Sequence, residues 1–236
     1  MATKLQNLLP LFLILMVMLS ANAEYHCGRE QSCYMLPAEC AYGTCDYEVV
    51  WSLNNDATKL NLKIAATTTG WVAVGFSDDR QMGDDHVLMC MKTGNATAKF
   101  EHRYNRGRTN VAQETNDGIT VEEINYSEGK VSCRLERNVS VMTGGKVFDV
   151  TQTDYYMFFA RGPLVDGVPV QHDDIPPVTM TKVHFADIEI VDAAAPTTGD
   201  GDGNGDGDGN SATVKQAGYV AVMFSMLVGV IASNMQ

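Results

Sequence analysis

Between Asp46 and Asp192 the chain alternates apolar with polar residues, or passes through short β-branched runs, with no sustained helical period. The pattern predicts strands at Asp46–Leu53, Lys59–Ala66, Gly70–Phe76, His86–Met91 and Ala98–Tyr104. It predicts further strands at Ile119–Tyr126, Lys130–Arg137, Tyr155–Arg161 and Lys182–Val191. Turn residues punctuate them, as at Asn54-Asn55-Asp56, Asn116-Asp117-Gly118 and Thr143-Gly144-Gly145. Strands at this density indicate an all-β fold, an antiparallel β-sandwich of about ten strands. A stretch of roughly 150 residues is ample for one core.

The flanks read differently. Lys4, the apolar run Leu8 to Leu19 and Ala21-Asn22-Ala23 form a signal peptide over residues 1–23. The mature chain is therefore expected in an oxidising compartment, on the extracellular face of the plasma membrane, with its six cysteines paired. Cys27, Cys33, Cys40 and Cys45 crowd into residues 24–45, which have few large apolar residues. Disulfides rather than a core are expected to hold that extension; a thiolate metal cluster is the alternative, and the pairing is open. Cys90 and Cys133 sit in strand-like runs and are expected to bridge neighbouring strands or the two sheets. Sequons at Asn95, Asn125 and Asn138 are glycan acceptors in such a chain and place three asparagines on the surface.

After Asp192 the composition breaks. Residues 193–210, with the run GDGDGNGDGDGN, read as a flexible stalk. Its aspartates resemble a calcium loop, but Ser211 stands where a loop opened at Asp200 needs its closing glutamate. Residues 211–236 end in a short apolar tail with no basic residue after it, which suggests a GPI-attachment signal; a short single-span helix is the alternative. The net charge is −12, and removing one lysine with each processed end leaves −14. No basic stripe offers itself to nucleic acid, whereas an acidic ectodomain suits cationic partners or ferric and cupric species.

Candidate chemistry concentrates in two stretches. In Gly70–Asp85, GWVAVGFSDDRQMGDD, small residues alternate with large ones along a strand, so that something flat can approach near Gly75. Met82 follows at the loop tip, where a thioether serves as a soft metal ligand or merely fills a gap under its own loop. The second stretch carries Ala160-Arg161-Gly162-Pro163 and then His172, in a loop stiffened by Pro176 and Pro177. His172 is an ordinary loop histidine or an iron ligand. His86, next to Asp85, suits a surface or pairing role, with iron ligation as its rival reading, and His102 has no suggestive company. Neither a Ser-His-Asp order, an H-E-x-x-H motif nor a phosphate loop stands out, so a hydrolase is poorly supported.

Trp51-Ser52-Leu53, the GWVAVGFS strand, the QMGDDHVLMC segment and the ARGP loop followed by His172 together resemble a DOMON domain. The likeness runs from about Cys45 to Val191 and is greatest to the ectodomain of ferric-chelate-reductase-like proteins. It is more distant to the haem domain of cellobiose dehydrogenase. The resemblance implies a b-type haem held between Met82 and His172, with Trp71, Gly75 and Phe76 supporting the macrocycle. Copper between the same two residues, or no cofactor at all, are the alternatives. It further implies one-electron transfer with a membrane or extracellular redox partner and with ferric or cupric chelates. Reductase-like members continue into a transmembrane bundle that this chain lacks, so a complete ferric reductase is not expected. A haem-free surface module for carbohydrate or protein is the competing function.

Overall fold

The computed structural model describes residues 27–95, 97–172 and 174–194. The predicted signal peptide, the stalk beyond Ala194 and the terminal anchor lie outside these residues. The chain forms sixteen strands among the described residues, and no helix. They are β1 (Ser32–Leu36), β2 (Tyr47–Leu53), β3 (Lys59–Thr67), β4 (Trp71–Ser77), β5 (Asp85–Lys92) and β6 (Ala98–Arg106). Then come β7 (Thr109–Ala112), β8 (Ile119–Ser127), β9 (Lys130–Asn138), β10 (Ser140–Thr143) and β11 (Lys146–Asp149). The last are β12 (Tyr156–Gly162), β13 (Leu164–Val165), β14 (Val168–Pro169), β15 (Val178–Thr179) and β16 (Ala193–Ala194).

Two antiparallel sheets face each other, as the alternation predicts. One has five strands in the order β1-β2-β3-β9-β8, and the other seven in the order β16-β15-β12-β4-β5-β6-β7. Period-two side-chain placement puts Val72, Val74 and Phe76 of β4 and Leu88 and Cys90 of β5 into one core. There they meet Val49, Trp51, Leu62, Ile64 and Leu135 of the five-stranded sheet. Cys90 on β5 and Cys133 on β9 are bonded, so this disulfide joins the two sheets rather than neighbouring strands of one sheet.

The extension pairs Cys27 with Cys33 and Cys40 with Cys45, and it does more than hang on those bonds. Its β1 adds an edge strand to β2, and the Tyr34 ring stacks on Phe159 of the opposite sheet at 3.9 Å between centroids. The predicted last strand, Lys182–Val191, does not form. Isolated bridges tie it down, Val183 to Tyr155 and Ile190 to Cys33, together with the Ser32 hydroxyl, which donates to Asp187 O and accepts from Glu189 N. The apolar alternation there arises because Val183, Phe185 and Val191 plug the core from outside the ladders. Phe185 lies against Trp51 and Phe76.

Candidate functional site

β4 sits near the middle of the larger sheet, hydrogen-bonded to β12 on one side and β5 on the other. With Val72, Val74 and Phe76 committed to the core, Trp71, Ala73 and Gly75 point out of the sandwich. Trp71 and Ala73 join Val87, Met89 and Met91 of β5 in a second apolar cluster, flanked by Ala160 and Leu164. Phe76, expected beside Gly75 as a support, is therefore on the opposite face from Trp71 and fully buried.

The loop that bears His172 crosses this outer cluster. The Trp71 indole Nε1 donates to the carbonyl of Val170 at 3.1 Å, two residues before His172. The same ring presses on Gly162, where a Cβ would lie 2.7 Å from Trp71 Cζ2. Gly162 is thus required by close approach. His172 is half-buried, and its Nδ1 is sealed from solvent without a hydrogen-bond partner among the described residues. Buried ring nitrogens are ordinarily satisfied, so this atom calls for an explanation.

Met82 belongs to the loop leaving the other end of β4. Its side chain is 38% exposed. The loop is closed by Asp85, whose Oδ2 accepts from the Gly83 amide and from Asn105 Nδ2, both at 2.9 Å. Tyr104 Oη donates to Asp84 Oδ1, and Lys146 pairs with Asp78 at 2.6 Å. Asp85 is buried, and burial raises its pKa above the usual carboxylate value. No hydrogen bond links Met82 to His172. Met82 follows the Ser77 end of the strand, and the His172 loop is tied to Trp71 at the other.

These residues fit a haem on three counts. A soft thioether is accessible, a histidine nitrogen is withheld from water without a partner among the described residues, and Gly75, buried beside Phe158 and Val87, adds no side chain to that face of β4. A Cβ built on Gly75 would meet Phe158 Cβ at 3.4 Å, an ordinary contact, so packing within the protein does not itself require glycine there. No group of three or more His, Cys, Asp or Glu side chains capable of holding a metal ion occurs among the described residues.

The structure gives His86 the pairing role rather than the surface one, and gives His102 company. Both are buried and meet inside the sandwich with Thr143. His86 Nδ1 lies 2.8 Å from Thr143 Oγ1 and 3.2 Å from His102 Nε2, and His102 Nε2 lies 2.9 Å from Thr143 Oγ1. Burial first, then the guanidinium of Arg137 and the His102 ring, hold the His86 pKa well below that of a free imidazole. His102 is lowered as well, chiefly by burial. Arg137 is itself fully buried, its Nη2 donating to Phe148 O at 2.8 Å, and burial brings its pKa down to about 10. The signal in the sequence was alternation: His86 shares the inward phase of Leu88 and Cys90.

The fold is thus an antiparallel β-sandwich whose larger sheet has a thioether-bearing loop after one end of β4 and an imidazole-bearing loop tied to the other. A DOMON domain family profile matches residues 43–162, and the chain belongs to the DOMON family. It is 32% identical over 72% of its length to the DOMON domain-containing protein FRRS1L of Homo sapiens, of which the match covers 59%. It is 26% identical over 69% of its length to ferric-chelate reductase 1 of Mus musculus, covering 27% of that protein. The chain thus spans little more than half of the first relative and about a quarter of the second. Among solved structures it is similar to the cytochrome domain of cellobiose dehydrogenase from Myriococcum thermophilum. That likeness has a TM-score of 0.44 at 12% identity, over 56% of this chain and 72% of that one.

Proposed function

We propose that this protein is a secreted, membrane-anchored DOMON protein that binds b-type haem and takes part in one-electron transfer at the cell surface. The single observation that carries the reading is His172 Nδ1, withdrawn from water, without a protein partner, on the loop laid over the Trp71–Gly75 face. Met82 and His172 would hold the iron, Trp71 would brace the loop, and Gly75 would add no side chain to that face of β4. Held by a thioether and an imidazole, such a group would supply outer-sphere electron exchange rather than oxygen chemistry. His86 is poorly suited to the role because it faces the core, opposite to Gly75. The redox partner is a membrane or extracellular carrier, with ferric or cupric chelates as terminal acceptors. The kinship with ferric-chelate reductases supports that direction of electron flow.

The purified protein should be red, with a Soret band that sharpens on reduction. Met82→Leu should keep haem but lower its potential and turn the spectrum partly high-spin. His172→Ala should lose most of the haem while the far-ultraviolet circular dichroism stays unchanged. A correctly oxidised protein that remains colourless after haem is added overturns the reading in favour of a copper site at the same residues or a haem-free carbohydrate- or protein-binding module.

A further inference from the structure

At the Gly162 end of β12 the two sheets part, and a cleft of about 420 Å³ opens between β1, the end of β3 and the loop before β15. That volume is within the range of small-molecule sites, about 300–1,000 Å³. Arg161 reaches across it. Its Nη1 donates to the carbonyls of Asp46 at 3.1 Å and Thr67 at 3.2 Å, on the opposite sheet. Two backbone acceptors fix the orientation of the guanidinium but do not neutralise it. Nε and Nη2 make no hydrogen bond to a described residue, and no carboxylate pairs with Arg161 among the described residues.

A fixed, uncompensated cation is unusual in a chain with 29 acidic against 17 basic residues. Asp174 lines the same cleft, yet it is exposed and forms no ion pair with Arg161. Hydroxyl side chains at Thr67 and Thr69 also line the cleft. Two of its apolar lining residues are well exposed, Leu36 at 42% and Ile175 at 54%. A guanidinium with hydroxyls beside it and aliphatic surface in the same cleft matches a carboxylate head joined to a short apolar body.

We propose that this cleft is a binding site for a small amphiphilic monocarboxylate, its carboxylate on Arg161 and its apolar body against Leu36 and Ile175. The loop before β15 that carries His172 also supplies Asp174 and Ile175 to this cleft, but neither Met82 nor His172 lines it.

Isothermal titration of the full-length protein with 4-phenylbutyrate and with neutral 4-phenylbutanol tests it. Saturable binding of the acid is expected, with the alcohol at least about tenfold weaker, as a charge-assisted hydrogen-bond pair implies. Arg161→Gln should weaken the acid by about the same factor and leave the alcohol unchanged. Asp174→Asn breaks no contact seen in the structure and removes a like charge, so it should strengthen the acid severalfold. Acid and alcohol binding equally, no saturable heat at millimolar acid, or an Asp174→Asn protein with unchanged affinity each overturns the proposal. The last criterion holds even if Arg161→Gln fails to fold.

Discussion

Two glycines on neighbouring strands offer a sharp separation of folding from haem binding. Gly75 and Gly162 belong to adjacent antiparallel strands, yet a methyl group would meet different surroundings at each. At Gly162 it would fall 2.7–2.9 Å from Cζ2, Cε2 and Nε1 of Trp71, and that ring is buried and held by its bond to Val170 O. The ring has to move, which costs about 1–3 kcal/mol for overpacking. Losing the indole hydrogen bond adds about 1 kcal/mol. At Gly75 the methyl would stand 3.4 Å from Phe158 Cβ, and the residue does not have a positive φ. Glycine inside a strand is roughly 0.5–1 kcal/mol less favourable than alanine, so Gly75→Ala should leave the apo-protein as stable or slightly more so. The same methyl stands on the face proposed for haem, and affinity should fall by about tenfold, or about 1.4 kcal/mol. Urea unfolding of both apo-variants, with haem titration followed at the Soret band, reads the two effects separately. A Gly75→Ala protein that binds haem as tightly as wild type refutes the placement of the macrocycle. One as destabilised as Gly162→Ala refutes the packing argument.

Acid should weaken the fold through the buried imidazoles. His86 and His102 have pKa values below the ordinary 6.5 or so when folded, so the unfolded chain binds more protons. Their stabilising contribution is complete above the unfolded pKa and is lost as pH falls through about 6.5 and below. Urea midpoints should drop between pH 7.5 and pH 5.0, and His86→Gln should narrow that gap; an unchanged gap refutes the assignment. The comparison with the variant separates the imidazole from Asp85 and Glu189, whose raised pKa values act in the opposite sense. For the anchor, treating intact cells with a phosphatidylinositol-specific phospholipase should release the protein. Retention together with an epitope placed after Gln236 would establish a single-span helix instead.

The strands that alternation revealed are the long ones: β2 to β6, β8, β9 and β12 were all legible, because each runs for seven or more residues and all but the largely exposed β8 put a face into the sandwich. Those that escaped are short or half-exposed. The hairpin strands β10 and β11 have four residues each and β13 to β16 two each, too short for a period of two to be recognised. Lys182–Val191 misled in the opposite way, since burial without a ladder partner writes the same apolar rhythm. In the site, alternation separated Trp71, Ala73 and Gly75 from the core-facing residues of β4, but it did not show that Gly75 is itself buried. The disulfide pairing within the extension was not, because four cysteines this close fit every connectivity. Nor was the meeting of His86 with His102 and Thr143, which depends on the β5–β6 register and on where the β10–β11 hairpin folds back.

That inner cluster and the outer face are two consequences of one register. His86 on β5 pairs with Phe76 on β4, and Val87 pairs with Gly75. Phase on β4 therefore decides at once which histidine is sealed in the core and which residues floor the outer face. A slip of one residue between β4 and β5 would bring His86 to the Gly75 side and Val87 inward. The Cys90–Cys133 bond forbids it, because Cys90 shares the phase of His86 and must point inward to reach the other sheet. The cross-sheet disulfide thus does more than stabilise the sandwich. By fixing the phase of β5 it commits His86 to the core and leaves the outer face to whatever the His172 loop supplies.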